Sequence, residues 1–124
     1  MWLRRFLLAL VIALLPWSAM AAEPSPAQAS ESVRSLLVQA QLILTNDPAQ
    51  AQSLLNQAQA LYDQALVKDL TNLAPQQATE IATRWVDLAQ ALEKQDVAGF
   101  AQQRALLWTH LLKASYAIVG QAID

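Results

Sequence analysis

The sequence predicts an all-α fold, specifically a four-helix up-down antiparallel bundle built from two helical hairpins. Three observations point there. Past residue 30 the chain is rich in Ala, Leu and Gln, with only Gly99 before Gly120, and it lacks the β-branched clusters of strands. Apolar residues recur at three- and four-residue steps in four successive segments. The links between those segments are short, which makes sequential helices antiparallel neighbours.

The first helix is expected to start at a Ser30 cap, with Val33, Leu36, Leu37, Ala40, Ile43 and Leu44 on one face. Asn46-Asp-Pro48 ends it and starts the second. There Asp47 is a good cap and Pro48 suits the first helical position. The second stripe runs from Ala51 through Leu54, Leu55, Ala58, Tyr62 and Leu66 to Leu70. Pro75 disfavours helical geometry at Ala74 and marks the next break.

The third helix carries Ala78, Ile81, Ala82, Trp85, Leu88, Ala89 and Leu92. Lys94-Gln-Asp96 closes it, and Asp96 caps the fourth, in which Gly99 is a tolerated first-turn residue. The fourth stripe reads Phe100, Leu107, Trp108, Leu111, Leu112, Ser115, Ile118, Val119 and Ala122. Trp85, Phe100, Trp108 and Tyr116 fall on or near these stripes and are expected in the core.

Residues 1–21 read as a secretory signal. Arg4 and Arg5 precede an apolar run from Phe6 to Leu15, and Ala19-x-Ala21 supplies a cleavage site between Ala21 and Ala22. Pro16 and the small residues after it leave the run short of the about 20 apolar residues a spanning helix needs. The organisation expected is therefore a signal at 1–21, a flexible leader at 22–29 with Pro24 and Pro26, and a four-helix domain at 30–124. Export places the chain in a periplasm, a thylakoid lumen or the extracellular space, with no membrane span after cleavage.

Loss of Arg4 and Arg5 leaves six of the eight Lys/Arg against ten Asp/Glu, a formal balance of −4. Such a balance argues against nucleic acid and against an anionic membrane surface. The absence of cysteine excludes disulfides and thiol chemistry, so stability rests on packing.

No catalytic, cofactor or metal residues emerge. His110 is the single histidine, and Met1 and Met20 leave with the signal, so a Met/His haem site cannot form. Di-iron bundles need Glu-x-x-His pairs, whereas Glu31, Glu80 and Glu93 stand apart from the histidine along the chain. Glu80, Arg84 and Asp87 share one helix face and read as a surface ion-pair ladder. The segment from Lys94 to Phe100 looks superficially like one in exported all-helical chorismate mutases. A dianion site needs converging cations, and Arg34, Lys68, Arg84, Lys94, Arg104 and Lys113 are scattered.

The most distinctive string is Asp96-Val-Ala-Gly-Phe-Ala-Gln-Gln-Arg104-Ala-Leu-Leu-Trp108-Thr-His-Leu-Leu112-Lys-Ala-Ser-Tyr116. Its pattern Arg-x3-Trp-Thr-x-Leu-Leu-x2-Ser-Tyr resembles the extracytoplasmic N-terminal region of bacterial iron permeases of the high-affinity iron transporter family. The resemblance spans roughly 33–124. It implies an exported helical accessory domain whose protein partner is a membrane permease. The candidate partner surface is Arg104, Trp108 and Tyr116, the two aromatics lining a groove instead of the core if the bundle is open. The Arg-Glu-x-x-Glu motifs that carry iron in the permease are absent, Arg84-Trp-Val-Asp87 being the nearest string, so no iron-binding residue transfers. The competing reading is a stand-alone bundle that docks on another membrane complex.

Overall fold

A computed structural model describes residues 25–123 of the chain, with side chains through residue 120; the expected signal and its Ala21/Ala22 cleavage site lie outside them. The described residues form five helices and no strand: α1 (Pro26–Ile43), α2 (Pro48–Ala65), α3 (Val67–Leu73), α4 (Pro75–Glu93) and α5 (Val97–Ile123). The described residues are all-helical, as the periodicity predicts, but with five helices among them where four are expected.

The extra helix arises at Leu66. Its backbone leaves helical geometry at φ −125°, yet its N–H still donates to the Tyr62 carbonyl at 2.9 Å. Leu66, Leu70 and Ala74 are all buried, so the bend turns a straight stripe into a separate short helix that keeps these residues in the core. Helix α3 packs there against α2, α4 and α5. No Pro or Gly marks the bend, which is why the sequence reads as one continuous helix to Leu70.

Helix α1 begins five residues ahead of the expected start, its cap at Ser25 rather than Ser30. The Ser25 hydroxyl accepts from the Gln28 N–H at 3.2 Å, and the Gln28 side chain accepts from the Ser25 N–H at 3.0 Å. With Pro26 at the first position this is a capping box, so residues 26–29 are helical and Ser30 is buried inside α1 rather than capping it.

The two aspartate caps are present. Asp47 accepts from the Gln50 N–H at 3.1 Å, and Asp96 accepts from the Gly99 N–H at 2.9 Å. Gly99 is more than tolerated there. A Cβ on it would lie 2.8 Å from the Asp96 carboxyl carbon, so glycine makes room for the cap. The α4–α5 link closes with the Asp96 N–H on the Ala91 carbonyl at 2.8 Å and the Gln95 N–H on Leu92 at 3.0 Å. This Schellman pattern holds Gln95 at φ 54°, where glycine is usual.

Helix α1 packs most extensively on α2, and α4 on α5; α1 also meets α5, while α2 meets α4 more sparsely. Polar cross-links join the helices as well. Arg104 Nε donates to Gln41 Oε1 at 2.7 Å between α5 and α1, and Arg84 Nη1 donates to Gln103 Oε1 at 2.6 Å between α4 and α5. Leu37, Leu44, Ile81, Leu88, Phe100, Leu107 and Leu111 fill the shared core.

Candidate functional site

Helix α4 presents two unlike faces. Toward α5 it is sealed by Ile81 and Leu88 and bridged by polar pairs. Besides Arg84–Gln103, His110 Nδ1 lies 2.8 Å from Gln77 Oε1, and His110 Nε2 lies 3.9 Å from Glu80. Glu80 therefore faces the histidine from which it is separated along the sequence. The expected ladder is only partly formed: Arg84 pairs with Asp87 at 3.5 Å, and Glu80 turns to His110.

Toward α2 the seam is open. A groove of about 740 Å³ runs between α2, α3 and α4, with Tyr62 and Trp85 on its floor. Their ring centroids are 5.7 Å apart and tilted by 53°, a favourable aromatic arrangement. Ala82 and Ala89, expected in the core by their spacing, are exposed on the α4 wall. Alanine is too short to reach across to α2, and this leaves the gap.

Two side-chain atoms in this part of α4 are buried without a hydrogen-bond partner, Arg84 Nε and Trp85 Nε1. Such a donor costs about 1–3 kcal/mol when it loses water and gains no acceptor. Trp85 is 4 % exposed and lines the groove. The Tyr62 phenol beside it is pushed up to about 12, first by burial and then by the neighbouring Asp63 carboxylate. Asp63 and Glu93 are the only charged residues among the described ones lining the groove.

The surface anticipated on α5 divides. Arg104 is half-buried on Gln41, and Trp108 is half-buried beneath Arg34, whose guanidinium carbon sits 5.2 Å from the ring centroid. Tyr116 is 77 % exposed and so is not the core residue its spacing suggests. Leu112 and Val119 are exposed near it on the same helix, while Trp85 and Phe100 are buried as expected.

Tyr62 and Trp85 read as core from sequence, and nothing in their spacing marks a groove. The available signal is the run of alanines at 78, 82 and 89 along one edge of the Trp85 stripe. Among the described residues no group of three His, Cys, Asp or Glu could hold a metal ion. No described helix is long and apolar enough to cross a membrane. The arrangement suits binding by shape and apolar contact.

The iron permease FTR1 N-terminal domain family matches residues 22–124, a range that includes all five helices and the distinctive α5 string. No curated protein and no solved structure matches the chain. The chain belongs to the family of iron permease FTR1 N-terminal domains.

Proposed function

We propose that this chain is an exported, non-catalytic helical domain that assists a membrane iron permease by binding a protein partner. In this reading the four long helices act as one up-down bundle, and α3 connects two of them. The observation that carries it is the family match, which begins at Ala22, the residue following the expected signal cleavage. The open α2/α4 seam supplies surface for a partner, and the acidic balance of −4 after cleavage favours protein over nucleic acid.

The test is cellular. Deleting the chain while leaving the permease intact is expected to lower radiolabelled iron uptake, and the wild-type chain should restore it. Unchanged uptake at limiting iron would overturn the role. The mass of the chain recovered from the exporting cell tests its location: a product beginning at Ala22 is expected, and a retained residue 1 would contradict export with cleavage.

A further inference from the structure

The apolar stripe of α4 is wider than the fold covers. Ala82 and Ala89 lie exposed on the groove wall, and between them Trp85 is buried with its indole N–H lacking an acceptor. The α4 residues lining the groove recur at helical spacing from Pro75 to Glu93, about 27 Å of helix. We propose that this groove receives one amphipathic helix of a protein partner. Its inward face is small and apolar, and it carries a Lys or Arg opposite each of Asp63 and Glu93. The inference rests on the partner-binding reading above and gives it a face and a chemistry.

Each property of the occupant answers an observation. Helices α2 and α4 use their backbone groups internally, so they offer no edge to an extended strand; an incoming helix satisfies its own backbone. Alanines on the wall let a helix axis approach within the usual 8–10 Å or so. The charges lining the groove are acidic. Asp63 stands beside Tyr62, whose ring meets Trp85 midway along α4, Glu93 ends α4, and no lining residue is Lys or Arg.

The experiment uses the chain as recovered after export, labelled with 15N-tryptophan so that Trp108 serves as an internal control for Trp85. The probes are two 18-residue helical peptides of Ala and Leu, one with lysines at its middle and at one end and one with glutamates there. The lysine-bearing peptide is expected to shift the Trp85 indole resonance saturably and leave Trp108 unmoved. Ala82→Arg, at an exposed helical site that tolerates arginine, should weaken binding at least tenfold. The double variant Asp63→Lys/Glu93→Lys should reverse the preference between the peptides. Equal response to both peptides, a response at Trp108 instead, or undiminished binding to Ala82→Arg would each overturn the proposal. A Trp85 shift that depends on protein concentration without peptide would overturn it too, by making a second copy the occupant. Reduced iron uptake on deletion with a silent Trp85 removes the groove and keeps the role. Normal uptake with a responsive Trp85 does the opposite.

Discussion

The two seams of α4 are built from neighbouring residues of one helix and end differently. Against α5, Ile81 and Leu88 reach a core that includes Phe100, and Arg84, Gln77 and His110 add hydrogen bonds across the join. Against α2, Tyr62 and Trp85 touch at the floor while Ala82 and Ala89 leave the wall short. Side-chain length decides the outcome, since both edges are apolar by pattern. The sealed seam holds the hairpin together, and the open one leaves Tyr62 and Trp85 as the floor of a groove that a partner can fill.

The contrast can be broken most forcefully by cutting into each seam in turn. Phe100→Ala removes a fully buried ring and should cost about 3–5 kcal/mol in urea unfolding. Ala82→Leu adds atoms to the open groove and should change stability by less than about 0.5 kcal/mol. Similar losses for the two would mean that the seams do not differ.

Alkali probes the floor of the open seam. The folded state holds the Tyr62 proton more tightly than the unfolded chain, where the phenol titrates near 10. The stability it contributes is therefore complete below pH 10 and is lost as pH rises from 10 through about 12. The loss should be roughly 2–3 kcal/mol, and Tyr62→Phe should abolish that part of the pH dependence. A wild-type profile indistinguishable from the variant's would place the phenol in water.

The smallest effect sharpens the sealed side. Gln95→Gly relieves a left-handed residue in the α4–α5 link and should raise stability by about 1 kcal/mol. The Trp85 indole resonance should not move. A shift there would show the two seams to be coupled.

Local chemistry was legible in the sequence, and non-local geometry was not. The caps at Asp47 and Asp96 could be read because each depends on residues within three positions. Ser25 was equally local, yet Pro24 and Pro26 beside it suggest a leader until the Ser-x-x-Gln capping box is weighed against them. The bend at Leu66 has no Pro or Gly to announce it and follows from where Leu66, Leu70 and Ala74 find cover. Periodicity put Ala82, Ala89 and Tyr116 on or near the apolar stripes, but it cannot tell how far a neighbouring helix reaches over them. The Glu80–His110 approach likewise depends on the register of α4 against α5. Family membership was legible through the α5 string, whose Arg104 and Trp108 turn out to bind α1.

The proposed role in iron uptake works through the α2/α4 groove. Its most direct test is radiolabelled iron uptake in cells carrying either Ala82→Arg or Tyr116→Ala in place of the wild-type chain, at matched protein levels. Uptake should fall to that of the deletion strain with Ala82→Arg and stay at the wild-type rate with Tyr116→Ala. Wild-type uptake with Ala82→Arg, or loss with Tyr116→Ala alone, would contradict the account and move the working surface to α5.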